Sequence, residues 1–181
     1  IEAPLALDCC VMPVRRVRQG QAKVATREEL GIAESAIVFG AFVSLLKLSP
    51  RCLDVWRDVL RRVPNARLAF SPGAVAEQAL YRRRVAGFGI DPERVVFIPR
   101  APDEEGDRAR YRLVDVVLDT MPYAGGDTTA AALDMGIPVV TRAGQRHDQR
   151  MGWGLPPAPA GTTPGARHRR ACCPKAGRRA G

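Results

Sequence analysis

From Ser35 onward the chain alternates short apolar runs with stretches of helical period. Ile37-Val-Phe-Gly-Ala-Phe-Val43 is continuously apolar and of strand length, which predicts a strand buried on both faces. Pro50 then stands at the first turn of a helix, because Leu53, Trp56, Leu60 and Val63 recur at helical spacing up to Pro64-Asn65. Ala66-Arg-Leu-Ala-Phe70 is the second strand. Residues 75–86 form a second helix with Arg82, Arg83 and Arg84 on its outer side, closed by Gly87 and Gly89. Residues 94–98 and 113–118 are two more strands. Between them the pattern predicts a loop over residues 99–105 and a short Arg-rich helix over about residues 108–112. After Asp119 come a Gly-rich turn, an Ala-rich helix that opens at Thr128-Thr129 and stops at Gly136, and a last strand over residues 138–141.

Five strands with a helix in each interval predict an α/β fold: a Rossmann-like parallel sheet with flanking helices and right-handed crossovers. In such sheets ligands bind beyond the carboxyl ends of the strands. Three segments are expected on that rim: residues 44–50 after the first strand, 99–105 after the third, and 121–129 after the fourth.

The rim segment Met-Pro-Tyr-Ala-Gly-Gly-Asp-Thr-Thr129 has the composition of an anion site. Gly125 and Gly126 allow close backbone approach, and the first turn of a helix offers free N–H groups, a favourable dipole and two threonine hydroxyls. The alternative is an ordinary strand-turn-helix with Asp127 or Thr128 as its N-cap.

The chain divides into an irregular lead-in over residues 1–34, a folded region over 35–152, and a basic tail over 153–181. In the lead-in, Arg15-Arg-Val-Arg18 reads as a solvated cluster and Thr26-Arg-Glu-Glu29 as a capping box. The net charge of +9 is unevenly placed: all nineteen acids lie at or before Asp148, and the tail from Leu155 holds six Lys and Arg and no acid. Without those six the formal charge falls to +3, so charge gives little reason to expect a nucleic-acid partner for the folded region. The tail is expected to be disordered; its Ala, Arg, Gly and Pro composition is what a high-GC gene gives in a shifted frame, which suggests a frameshift or truncation near residues 150–156. Cys9-Cys10, Cys52 and Cys172-Cys173 form no CxxC pattern, which points to a reducing, cytoplasmic setting and no metal site. No apolar run is long enough for a membrane helix.

Taken together, Phe39-Gly-Ala-Phe-Val-Ser-Leu-Leu-Lys-Leu-Ser-Pro50, residues 56–64 and 95–105, Val114-Asp-Val-Val-Leu-Asp119, Gly125-Gly-Asp-Thr-Thr129 and Gly136-Ile-Pro-Val-Val-Thr141 carry a resemblance. In order and spacing they resemble the C-terminal half of the catalytic region of the O-linked N-acetylglucosamine transferase family, which includes SPINDLY-type and bacterial TPR-linked relatives and has the GT-B fold. The resemblance implies a hexosyltransferase acting on protein Ser/Thr with UDP-N-acetylglucosamine as donor and no cofactor. It implies that Lys47 contacts the diphosphate and assists the leaving group, the catalytic role. Thr128 and Thr129 would bind phosphate beside Gly125, Gly126 and Asp127, Ala101 and Pro102 would lie against the uracil, and Arg108 would cover the base.

This sequence departs from the family pattern at Val43-Ser44, Asp103, Gly106 and Asp127, and an anion at residue 127 predicts weak UDP binding. As a partial catalytic domain the chain is expected to bind UDP-sugar and not to transfer alone. The alternatives are a nucleic-acid-binding protein acting through the basic tail, or a nonfunctional gene remnant.

Overall fold

The structure, a computed structural model, describes residues 25–154; the Arg15–Arg18 cluster, the cysteine pairs and the basic tail lie outside the described residues. Strands β1 (Ile37–Gly40), β2 (Ala66–Phe70), β3 (Val95–Phe97), β4 (Val116–Leu118) and β5 (Val139–Val140) form one parallel sheet in the order β3-β2-β1-β4-β5. Helices α1 (Pro50–Arg62), α2 (Gln78–Ala86), α3 (Glu104–Ala109) and α4 (Asp127–Asp134) fill the crossovers. The order reverses between β1 and β4, which makes the gap between those two strands the switch point where ligands of such sheets bind.

Side-chain alternation along the strands divides the core between two faces. Leu68 and Phe70 pack with Leu53, Trp56 and Leu60 of α1 and Tyr81 and Val85 of α2. Val38, Ala69 and Val117 face the other way, against Tyr111, Leu113, Ala131 and Ala132. Both layers are needed to bury the sheet, which is why its strands lack a polar stripe.

Local chemistry explains the helix limits. Ser49 caps α1 by accepting from the Cys52 N–H at 3.2 Å, with Pro50 in the first turn. At the far end the Arg94 guanidinium donates to the carbonyl oxygens of Leu60, Val63 and Ala66 at 2.7–3.1 Å, satisfying groups that the helix leaves open. Gly89 and Gly136 adopt positive φ of 74° and 77° where the chain turns from α2 and α4 towards the next strand.

Several boundaries differ from the expected ones: β4 begins at Val116 and not at residue 113, α2 begins at Gln78 after a 3-10 turn over Val75–Glu77, and β3 and β5 are each shorter than the runs expected over residues 94–98 and 138–141. β1 stops at Gly40, because the Val43 carbonyl is taken by the Tyr81 hydroxyl at 2.7 Å as the chain leaves the ladder. The helix expected over about residues 108–112 is instead α3, starting at Glu104, followed by a 3-10 turn over Arg110–Leu113. Its start is fixed by Asp103, which accepts from the Gly106 N–H at 2.7 Å. In the lead-in, Thr26 and Glu29 make the reciprocal bonds of a capping box, yet they open a turn and no helix. Among the described residues no helix is long and apolar enough to cross a membrane.

Candidate functional site

The Gly-rich turn after β4 is built around the buried carboxylate of Asp119. Its Oδ1 accepts from the Thr120 and Gly125 N–H groups at 2.8 and 2.7 Å, and its Oδ2 accepts from the Thr141 hydroxyl at 2.7 Å. Thr120 in turn donates to the Tyr123 carbonyl, and the Ala124 N–H to that of Asp148. A Cβ at Gly125 would stand 2.6 Å from Thr129 Oγ1, 2.9 Å from Thr128 Oγ1 and 3.0 Å from Asp119 Oδ1. Glycine is therefore required here by the chain's own side chains. Helix α4 follows with Gly126 as its N-cap and no side-chain cap, so Asp127 and Thr128 lie inside the first turn and do not cap it.

A cleft of about 550 Å³ opens beyond the carboxyl ends of the strands at the switch point. It is walled by the chain after β1 (residues 42–45), the Ser-Pro-Gly loop after β2 (residues 71–73), α3 with its following turn, and the first turn of α4. Among the described residues Arg110 is the most deeply buried cation, its side chain 7% exposed. It donates to Ser71 Oγ at 2.8 Å, pairs with Asp107 at 2.9 Å and stacks over the Phe42 ring at 4.7 Å. Burial pushes its pKa down, opposed by the Asp107 charge. Its Nε is buried without a hydrogen-bond partner. Asp107 is shared with Arg100, which grips it through two bonds at 2.9 and 3.1 Å.

Arg108, 13% exposed, lies between Glu104 at 3.5 Å and Asp134 at 3.7 Å, and its Nη1 is likewise buried with no hydrogen bond. Tyr111 donates its hydroxyl to the Thr128 carbonyl at 3.0 Å, tying this wall to α4, and burial pushes its pKa up to about 12. Buried guanidinium N–H groups without acceptors are costly, and a ligand that brings acceptor oxygens would relieve them.

Of the residues expected at the site, Arg108, Asp127 and Thr128 line this cleft together. Lys47, at the end of a 3-10 turn over Leu45–Lys47, is not part of the lining; its ammonium sits 4.5 Å from the centroid of the Tyr123 ring. Ala101 and Pro102 precede α3 and are also outside the lining, with Ala101 packed where a Cβ at Gly106 would come within 2.6 Å. Gly125 and Gly126 are buried in the turn, and Thr129 is 2% exposed beneath it. The departures at Asp103 and Gly106 form one local structure: the aspartate caps the helix, and the glycine leaves room for that cap and for Ala101.

Arg110, Phe42, Tyr111 and the loop after β2 were not expected at the site. The rim rule that singled out three loops applies equally to Ser71-Pro72-Gly73, which directly follows a strand, so that signal was present. Arg110 carried no such signal. An arginine in an Arg-rich segment reads as solvated, and its burial depends on Phe42 and Ser71, distant in sequence.

Comparison with known proteins adds the parentage. The profile of glycosyl transferase family 41 matches residues 15–152. A rice (Oryza sativa subsp. japonica) protein named "Probable UDP-N-acetylglucosamine--peptide N-acetylglucosaminyltransferase SPINDLY" is 37% identical over 129 residues, covering 68% of this chain and 14% of the relative. The Arabidopsis thaliana protein of that name ending in SEC is 34% identical over 116 residues, covering 64% of this chain and 12% of the relative. Among solved structures, an O-GlcNAc transferase mutant of Thermobaculum terrenum superposes with a TM-score of 0.59 at 34% identity, over 65% of this chain and 23% of that one. The chain thus spans 12–14% of the length of these curated relatives. Its matched segment takes in the sheet, the Asp119-centred turn and the cleft, and the chain belongs to glycosyl transferase family 41.

Proposed function

We propose that this chain supplies the nucleotide side of a UDP-N-acetylglucosamine-dependent protein O-glycosyltransferase. One observation carries the reading: a cleft at the sheet's switch point has the first turn of α4 on one wall and, on the other, two nearly buried arginines that each keep one buried nitrogen without a hydrogen bond. An elongated anionic ligand such as a nucleoside diphosphate can meet both walls. The N–H groups and Thr128 hydroxyl of α4 suit one phosphate, and Arg108 and Arg110 suit acceptor oxygens further along. The names of the relatives point to UDP-N-acetylglucosamine as donor and to peptides as acceptors.

In the proposed reaction an acceptor hydroxyl oxygen bonds to the sugar's anomeric carbon as the bond to UDP breaks, so negative charge builds on the departing diphosphate. Lys47 on the rim and the α4 terminus stabilise that charge, which lowers the barrier more than it strengthens ground-state binding. Asp127, an exposed carboxylate in the first turn of α4, opposes it and keeps UDP affinity low. No metal or redox cofactor enters the reaction, and the acceptor-binding side belongs to the whole protein, which acts in the reducing cytoplasm. Calorimetry of the 181-residue chain with UDP tests the reading. Binding should be present, and weakened at least about tenfold in Arg110→Met and in Thr128→Ala, since each removes a charge-assisted or direct bond to phosphate or base. A folded sample that binds no UDP would overturn it.

A further inference from the structure

We infer that Tyr123 is a positioning residue for Lys47: its ring holds the ammonium aside and yields it when a diphosphate fills the cleft. The inference rests on the reading above. Lys47 and Tyr123 come from different rim loops, after β1 and after β4, and the lysine ammonium lies 4.5 Å from the ring centroid. The backbone of each is fixed. The Lys47 N–H bonds the Ser44 carbonyl at 3.0 Å, and the Ser49 hydroxyl two residues on donates to the Met121 carbonyl. The Tyr123 carbonyl accepts from Thr120 Oγ1 at 2.7 Å, and the next N–H bonds Asp148. What remains free to move is the lysine side chain itself.

Two further facts set the strength of the hold. Tyr123 is 47% exposed, and no carboxylate among the described residues pairs with Lys47. At such a site a cation–π contact changes an equilibrium constant about two- to fivefold, a hold that a diphosphate's two charges outcompete. Ser44 and Leu45, in the same turn, already line the cleft. A rotamer change of Lys47, with no backbone motion, is the step required. The ring therefore acts as a weak competitor for the lysine, opposing UDP in the empty protein and keeping the long side chain ordered.

The chain contains three lysines, so a lysine-selective NMR spectrum is simple and the Lys47→Ala variant assigns the Lys47 ε-methylene. In the UDP-free chain that signal should be shifted upfield by the ring, stay so in Tyr123→Phe, and return to the ordinary position in Tyr123→Leu and on adding UDP. Calorimetry should give a UDP Kd lowered about two- to fivefold in Tyr123→Leu and unchanged in Tyr123→Phe. Adding Tyr123→Leu to Lys47→Ala should change nothing further, because the ring then has no lysine to hold. UDP binding with the Lys47 signal still on the ring, or a Tyr123→Leu variant that binds UDP less tightly, would overturn this inference and leave the proposed function standing. A folded wild-type chain that binds no UDP removes both.

Discussion

Removing the carboxylate of Asp119 should cost this fold far more than removing any surface acid. The side chain is 6% exposed and takes three hydrogen bonds, from two backbone N–H groups and one hydroxyl. In Asp119→Ala the Thr120 and Gly125 N–H groups stay buried with no acceptor, and Thr141 loses its acceptor. Each of the two abandoned buried N–H groups costs about 1–3 kcal/mol, and the half-buried Thr141 hydroxyl less, so the expected loss is about 2–6 kcal/mol. Asp119→Asn differs in kind. Its carbonyl oxygen takes the place of Oδ1, and its amide donates to Thr141, whose hydroxyl turns to accept. That variant keeps the geometry and loses the charge, for about 1–2 kcal/mol.

Urea denaturation of the chain, followed by far-UV circular dichroism, separates these outcomes. The order wild type, Asn, Ala should appear in the midpoints with the slopes unchanged. An alanine variant within about 1 kcal/mol of wild type, or an asparagine variant no better than alanine, would refute the assignment of Asp119 as organiser of the turn.

Other consequences can be checked on the same material. Arg94→Met should cost about 2–3 kcal/mol, since it strips the end of α1 and the start of β2 of a charged donor to three carbonyls; Arg94→Lys should recover part of this, because an ammonium lacks the planar fork. Stability should decline as pH rises from 9 towards 12. Burial raises Cys52 from 9.0 to about 11 and Tyr111 from 10.0 to about 12, so the unfolded chain sheds these protons first; the contribution is full below pH 9 and lost above the folded values. Urea midpoints at pH 8 and pH 10.5 show the decline, and Cys52→Ala should flatten it between pH 9 and 11.

The architecture was legible because it rests on local signals. Each strand centres on a short apolar run, α1 starts at a serine cap followed by a proline, and Gly89 and Gly136 mark turns that only a positive φ allows. The rim loops followed from strand direction. Side-chain roles within the site were less legible, because they depend on partners far apart in sequence. Thr128 could be placed at a helix start on the rim, and Arg108 only through the family resemblance, but the burial of Arg110 needs Phe42, Ser71 and Asp107 together, and spacing carries no record of that. The onset of α3 was missed for a local reason: Asp-Glu-Glu reads as loop by composition, while one aspartate in it is a cap.

The glycine turn shows how the two kinds of information combine. Its sequence admits either close approach of a ligand or a plain strand-turn-helix, and the structure makes both descriptions incomplete. Gly125 is filled against by Thr128, Thr129 and Asp119, so its missing Cβ serves the interior of the turn. Yet this same packing leaves the first turn of α4 without a side-chain cap, its N–H end at the cleft and Thr128 on the wall. A helix start that no side chain closes is stable when solvent or an anion satisfies it. Here the carboxylate that could have closed it, Asp119, is committed to the turn behind, and Asp127 lies inside the helix. The anion binding proposed for the rim therefore depends on where Asp119 points, so that a buried residue behind the helix start decides which groups the surface in front of it leaves open.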